Sequence, residues 1–471
     1  MAAMHFAGGP EKRWARPNAG ESAGLADGSS IAVIGGGPAG SMFSYFLLTM
    51  AKHIGVEYEV DIYEPRHFRH MGPAGCNHCG GVVSEALVQR LATEGIVLDS
   101  SVVQCGMDSY TMHMDVGTVR IGTPLNEKRI ATVFRGNGPR DSEPTDLYSF
   151  DRYLLELAHE QGAQLERRLA TGLTRNDDGM TVRCADGHAA DYDLVAVTTG
   201  VNSRFMDVVA ASDEKIRRPP TATTFVCEFP LGDTAIREHL GSSMHVFMLD
   251  LPHLKFGALI PKGDYATLCL LGDRIDEQLV KAFLNSAEVK QCFPDALVPP
   301  NVCHCYPRMN AGTARPPFGD RLVMIGDCGT TRLLKDGIGT AYRTAKAAAR
   351  TVLFHGVMAE DFRENYWPLC RSIEFDNYIG RGIFAFSTLI QKARFARRAV
   401  LRMTAMEQAS DRRHKRMSEI LWDLFTGSGP FREVLLISMH PACVAGLLWN
   451  LIVSNLPRGR RQLTGPADDH A

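Results

Sequence analysis

Ile31-Ala-Val-Ile-Gly35-Gly-Gly37-Pro38-Ala39-Gly40-Ser41 decides the fold of this chain. Four apolar residues run straight into a glycine-rich turn, and the apolar run from Met42 to Met50 follows at once. That order predicts a buried parallel strand, a tight turn and a helix, the context in which G-x-G-x-x-G binds a dinucleotide. Gly35 permits the turn. Gly37 lets the backbone approach a pyrophosphate, and Gly40 lets the helix pack close on the strand. The helix N-terminus then offers free N–H groups and the positive end of its dipole to phosphate. A second strand, Glu59 to Tyr63, ends in Glu64, 24 residues after Gly40, where a carboxylate is placed for ribose hydroxyls.

A second stretch repeats this grammar far along the chain. Arg321-Leu-Val-Met-Ile-Gly326-Asp327 reads as a buried strand ending in Gly-Asp. Asp336-Gly337-Ile338-Gly339 then opens an Ala-rich helix, Thr340 to Leu353. A second helix N-terminus therefore points at a ligand, with Asp327 set to accept from ribityl or ribose hydroxyls. One dinucleotide gripped by two separated strand–turn–helix units suits a cofactor as large as FAD.

The bulk properties exclude several classes. A chain of 471 residues is too long for one ordinary domain, so two or three lobes are expected. Net charge is −2, and no basic recognition helix or pair of C-x-x-C motifs appears, so nucleic acid is not an expected partner. Twelve cysteines over this length do not make a disulfide framework, and those in apolar strands (Cys227, Cys269) read as small buried hydrophobes. Residues 1–30 lack an apolar core segment and read as a disordered tail, with no secretory signal. A reducing, cytoplasmic location follows as the expectation.

Between the two glycine stretches lies a Gly-rich polar loop, Arg66 to Gly81, carrying Cys76-Asn-His78-Cys79-Gly80-Gly81. Its C-x-x-C is compatible with a redox pair or half a metal site. The favoured reading is a loop lining the cofactor, where Gly80 and Gly81 admit a ring close to the backbone, and no metal is expected. Residues 105–135 alternate in strand fashion, and a helix is expected from Phe150-Asp151 to Gly162. From 201 to 310, alternating runs predict an antiparallel sheet suited to the floor of a substrate pocket. His245, His253 and Lys255 are polar candidates there, the competing and favoured reading being solvent-facing alternates of strands. Beyond Ala359 the chain reads as helical. Phe384 to Met403 sets Lys392, Arg394, Arg397, Arg398 and Arg402 among apolar residues, which suits an anionic membrane surface. Val434 to Leu456 has 23 residues without Asp, Glu, Lys or Arg, interrupted by His440-Pro441 and followed by Arg458, Arg460 and Arg461. Three readings stay open for it: a membrane-lying or tunnel-forming hairpin, a buried helix pair, or a true span.

Taken together, the Gly35-to-Ser41 turn, Glu64, the Cys79-Gly80-Gly81 loop before a helix, and Gly326-Asp327 with Gly337 and Gly339 resemble the geranylgeranyl reductases. These belong to the FAD-dependent oxidoreductases of the p-hydroxybenzoate hydroxylase superfamily. The similarity spans about residues 31–355, and Phe256-Gly-Ala-Leu-Ile-Pro261-Lys262-Gly263 is similar to the stretch that lines the prenyl pocket. Departures are visible: Phe256 and Ala258 replace Tyr and Trp, Leu334 replaces Pro, and Thr198-Thr199-Gly200 replaces Ala-Asp-Gly. The Arg that normally stands close before Phe-Asp is absent, and Arg135 is its substitute across an insertion.

The resemblance implies an α/β fold: a Rossmann-type FAD-binding domain (three-layer ββα) from 31–200 and 311–355, an inserted antiparallel-sheet substrate domain over 201–310, and a helical C-terminal region over 356–471. It implies that FAD is held by Gly35, Gly37, Pro38, Ala39, Gly40, Glu64, Gly80, Gly81, Arg135, Gly200, Gly326, Asp327, Gly337, Ile338 and Gly339. Phe256 and Pro261 would contact substrate, and Cys79 or His78 would give the proton that follows hydride addition. The implied reaction is reduction of a carbon–carbon double bond of an isoprenoid or other lipid. No second dinucleotide fingerprint appears, so electrons come from NAD(P)H bound transiently or from a reduced carrier protein. A flavin monooxygenase using NAD(P)H and oxygen, and an electron-transfer flavoprotein feeding quinone, are the alternatives. Peripheral contact with a membrane through the C-terminal region is expected.

Overall fold

The computed structural model describes residues 25–125, 128–140, 146–294, 302–411 and 414–456. The expected tail thus lies largely outside the described residues, as do Arg458, Arg460 and Arg461. The run Ile31 to Ile34 forms the strand Ser30–Ile34, buried on both faces. It is central in a six-stranded sheet ordered Phe318–Gly319, Leu322–Met324, Leu194–Val197, Ser30–Ile34, Glu59–Tyr63, Gln164–Glu166. All neighbours are parallel except the first pair, and Ile31 stands level with both Leu194 and Val60. A strand buried on both sides needs a continuous apolar run, which this one has.

Helices Pro38–Ile54, Phe150–Glu160 and Gly337–Phe354 pack on one face of this sheet through Phe43, Leu47, Leu154, Ala345 and Ala349. The other face carries a three-stranded sheet, Ala170–Arg175, Met180–Cys184 and Ala189–Tyr192, packed through Leu173, Val182 and Val197. These are the three ββα layers.

A second, eight-stranded sheet runs Cys303–Cys305, Thr221–Pro230, Tyr265–Gly272, Leu254–Pro261, Ser243–Phe247, Ser109–Met114, Gly117–Gly122, with Arg308–Asn310 also on Thr221–Pro230. The boundary at 201 therefore needs correcting. The hairpin 109–122 belongs to this sheet, because Ser109–Met114 pairs in parallel with Ser243–Phe247. That one parallel pair also makes the sheet mixed. The helix expected after the Cys79-Gly80-Gly81 loop is Glu85–Thr93, and the short strand Val82–Ser84 stands between loop and helix. Gly95, at φ +85°, sits just past the helix end.

C-terminal helices cover one face of the second sheet: Phe384, Val400, Trp422 and Phe431 meet Tyr110, Val246 and Phe256. The stretch 384–403 is helical as expected and is divided between two helices, Trp367–Lys392 and Arg394–Gln408, broken at Ala393. Arg397 is buried and pairs with Asp115, so it is not a surface cation. Arg332, also buried, donates to the Gly427 and Gly429 carbonyls at 2.7 and 2.6 Å and pairs with Asp336 at 3.0 Å. It ties the C-terminal region to the turn before Gly337. No single helix among the described residues is long and apolar enough to cross a membrane. The Val434–Leu456 run instead forms Phe431–Ser438 and Pro441–Val453, bent by 65° at the break before Pro441.

Candidate functional site

The two glycine stretches meet at the C-terminal edge of the six-stranded sheet. Gly35 has φ +109°, and its N–H donates to Tyr63 O at 2.9 Å. Gly40 packs so close to the turn that a Cβ there would stand 2.0 Å from Gly35 O. At Gly37 a Cβ would meet only Asp151 Oδ1, at 3.8 Å. The helix that follows starts at Pro38, with no capping side chain and no acid in its first turn. The helix Gly337–Phe354 begins in the same way, after Asp336 at φ +58°. Gly326, at φ +71°, lies between the two starts: a Cβ on it would be 2.9 Å from Ala39 Cβ and 3.8 Å from Ala341 Cβ. Two uncapped helix starts beside one region leave free N–H groups there, an arrangement that suits an anion.

Glu64 closes this region at the end of Glu59–Tyr63. Its buried carboxylate accepts from Gly36 N at 3.1 Å and from Arg66 N and Nε at 3.0 and 3.1 Å. Arg66 also donates to Asn77 Oδ1 at 2.7 Å, and Asn77 Nδ2 to Arg135 O at 2.9 Å. The 66–81 loop is thereby tied to the site. Arg135 holds Asp151 through two 2.7 Å bonds. Asp151 stands in the first turn of Phe150–Glu160. Cys79 lies close enough to the same guanidinium to interact with its charge. Burial pushes the Asp327 carboxyl pKa up, and the charge of Arg135 opposes the shift. A Cβ on Gly337 would be 3.4 Å from Asp327 Oδ1.

On the other side of Cys79, the backbone turns through Gly81 at φ +65°, where a Cβ would meet Val133 O at 2.7 Å and Lys262 Nζ at 3.1 Å. Lys262 follows Pro261 at the end of Leu254–Pro261. It is buried, and its Nζ donates to Gly80 O at 2.6 Å. Burial pulls its pKa down, and Glu228 opposes that shift. Glu228 is itself buried and accepts from Thr267 Oγ1 at 2.7 Å, while its Oε1 has no partner. Desolvation raises its pKa to about 7.

This gives a pH prediction. A carboxyl whose folded pKa exceeds its ordinary 4.5 binds its proton more tightly when folded. Stability therefore falls as pH rises from about 4.5, where the unfolded carboxyl ionises, to about 7, where the folded one does, and the penalty is absent below about pH 4.5. Glu228→Gln is expected to flatten the fall in stability between about pH 4.5 and 7, by up to about 3 kcal/mol. Parallel melting curves of the two proteins across that range would contradict it.

The other expected residues fall as follows. His78 has φ +54°; its Nδ1 meets Cys305 Sγ at 3.1 Å, and burial lowers its pKa. Gly200, at φ +70°, lies just beyond Leu194–Val197 in open space. Ile338 and Gly339 form the first turn of their helix. Phe256 is buried against Phe384 and Phe425, with ring centroids 6.2 and 5.2 Å away, so it packs among C-terminal helices rather than beside the glycine turns. Pro261 is buried next to Lys262. Lys262 and Glu228 were not singled out as site residues. The one signal available was a lone acid in the run Thr221–Pro230 and a lysine closing an otherwise apolar strand.

No protein-family model matches the chain, and no curated protein matches its sequence. Solved structures do match in fold. A flavoprotein/dehydrogenase from Cytophaga hutchinsonii is 15% identical, covering 90% of this chain and 99% of that one, with a TM-score of 0.58. The flavin-dependent halogenase CmlS is 17% identical over 95% of this chain and 76% of its own, at a TM-score of 0.54. The halogenase PltM, solved with phloroglucinol and FAD, is 14% identical over 91% and 92%, at 0.56. The architecture is thus the one used by flavin-dependent dehydrogenases and halogenases.

Proposed function

We propose that this chain is an FAD-dependent oxidoreductase that reduces a carbon–carbon double bond of an isoprenoid or other lipid at a membrane surface. The observation that carries the cofactor is the meeting of two uncapped helix starts at Gly326, with Glu64 and Asp327 beside them. The residues fit the group. Gly35 to Gly40 and both helix starts would take the pyrophosphate, Glu64 the ribose, and Asp327 the polyol hydroxyls. Gly80, Gly81 and the turn Gly337–Gly339 would line the ring. When bound, reduced FAD supplies the hydride. The chain's part is to orient the substrate, exclude water and deliver a proton, for which Cys79 Sγ, beside Arg135, is the candidate donor. NAD(P)H bound transiently, or a reduced carrier protein, would supply the electrons.

The lipid assignment is supported by apolar side chains left exposed on the C-terminal helices: Phe386, Leu389, Phe395, Leu436, Trp449 and Ile452. Arg394 and Lys392 are exposed on the same helices. Each large side chain withdrawn from water contributes about 1.5–3 kcal/mol. Replacing Leu436 and Trp449 by Asp is therefore expected to weaken sedimentation with anionic phospholipid vesicles by at least about a hundredfold. Unchanged sedimentation would remove the membrane from the proposal.

The neighbours named as halogenases support a second reading, an oxygen-using monooxygenase. Anaerobic purification, an absorption spectrum and mass spectrometry of extracted small molecules test both. A flavin spectrum with a co-purified isoprenoid is the expected result, and absence of flavin defeats either reading. Substrate-dependent oxygen uptake with NADPH would favour the monooxygenase.

A further inference from the structure

We infer that His113, His245 and Cys292 form a buried binding site for a thiophilic divalent cation, zinc by preference. Three separate segments supply the ligand atoms. His113 lies in Ser109–Met114, His245 in Ser243–Phe247, and Cys292 follows the short helix Ala287–Lys290. The parallel pairing of the two strands sets His113 level with Phe247 and His245 level with Thr111, which brings the imidazoles together on one face. His113 Nε2 and His245 Nδ1 are 2.9 Å apart, and Cys292 Sγ is 3.8 and 3.4 Å from them. All three residues are buried. Zn–N bonds of about 2.05 Å and Zn–S bonds of about 2.3 Å in tetrahedral geometry require about 3.3 Å between nitrogens and about 3.6 Å between nitrogen and sulfur. The triangle needs adjustments of only a few tenths of an ångström.

The surroundings fix which nitrogens are available. His245 Nε2 lies 3.1 Å from Leu240 O. A carbonyl only accepts, so the proton sits on Nε2 and Nδ1 presents its lone pair to the cluster. His113 Nδ1 faces Thr118 Oγ1 at 3.2 Å, which can accept its proton, and also lies 3.1 Å from Gln291 Nε2, which donates to Glu288 O as well. His113 Nε2 is then free to ligate. Such outer partners orient metal-binding imidazoles. The imidazoles ligate as neutral rings and Cys292 as a thiolate. Binding of the cation therefore releases one proton, from Cys292 Sγ to solvent, and forms two N–metal bonds and one S–metal bond. The fourth position is left for water.

This site is not part of the proposed flavin centre. His245 stands level with Leu259, whereas Gly80 meets the neighbouring residue Ile260 on the opposite face of the sheet. Its role would be to clamp the segment at Cys292 onto the hairpin 109–122.

The test uses the full chain with its flavin. Purified without chelator and passed through gel filtration, it is expected to retain about one zinc per chain, and the zinc-stripped protein to take up Co2+ with a thiolate-to-cobalt charge-transfer band. Cys292→Ala and His245→Gln should each lower retained zinc at least about tenfold and abolish the band, at unchanged flavin content. Cys370→Ala, a buried cysteine elsewhere, should keep both. A wild-type protein that retains no zinc and gives no cobalt band overturns the inference, leaving a hydrogen-bonded His–His–Cys cluster. So does cobalt binding that survives both variants.

Discussion

Gly40→Ala is expected to yield a protein that retains no flavin and unfolds at least about 3 kcal/mol more readily than the wild type. The added Cβ would lie 2.0 Å from Gly35 O, 2.6 Å from Thr198 Oγ1 and 3.1 Å from Val33 Cγ1. The first is backbone and cannot swing aside. Thr198 cannot easily move either, because its hydroxyl bonds Gly35 O at 2.6 Å and Ile34 O at 2.9 Å. The helix must therefore lift from the sheet, which opens both the turn and the buried face beneath it. Gly37→Ala is the informative contrast. Its Cβ would find only Asp151 Oδ1, at 3.8 Å. The fold should stay within about 1 kcal/mol of wild type while flavin affinity falls at least about tenfold, since the methyl fills the approach to the pyrophosphate. Thermal melts and flavin-fluorescence titrations of both variants check this. If Gly40→Ala bound flavin as the wild type does, the close packing of helix on turn would not be what shapes the site.

What the sequence made readable was local. Ile31 to Ser41 carries its own strand, turn and helix start within a dozen residues, and Gly326-Asp327 with Gly337 does nearly the same. Hydrophobic period and glycine placement suffice there, because the interactions that fix the geometry lie between near neighbours. The hairpin 109–122 was assigned to the wrong lobe because its partner strand, Ser243–Phe247, is more than a hundred residues away and no local pattern announces a parallel pairing. A separation of 182 residues likewise hid Lys262 against Gly80. His245 was weighed as a solvent-facing alternate, yet it is buried, because helices cover that face of the sheet as well. The break at Ala393 has neither Gly nor Pro to mark it. There, burial of Arg397 on Asp115 sets the course of the second helix. Long-range polar contacts decide these details, and they leave almost no trace in composition or period.

The Arg135–Asp151 pair shows how a departure from a family pattern can be structurally compensated. Arg135 stands well before Phe150-Asp151, with an insertion between, yet it reaches Asp151 through two bonds of 2.7 Å. Both side chains are nearly withdrawn from water, at 12% and 1% exposure. Removing one partner strands a buried charge, which costs about 3–5 kcal/mol, far more than the net worth of the pair. Arg135→Met is therefore expected to destabilise the protein by that amount and to loosen the Cys79 and Asn77 contacts that depend on its position. Asp151→Leu should cost a similar amount, since it leaves the guanidinium unpaired. The double variant Arg135→Met/Asp151→Leu removes both charges, and its cost should fall short of the sum of the single changes by at least about 2 kcal/mol. Denaturant unfolding of the four proteins closes the cycle. Flavin binding supplies a second axis: restored stability in the double variant without restored flavin retention would mean that the pair acts on the ligand as well as on the fold. Additive costs would show that each residue works alone, and the long detour from Arg135 to Asp151 would then need another reason.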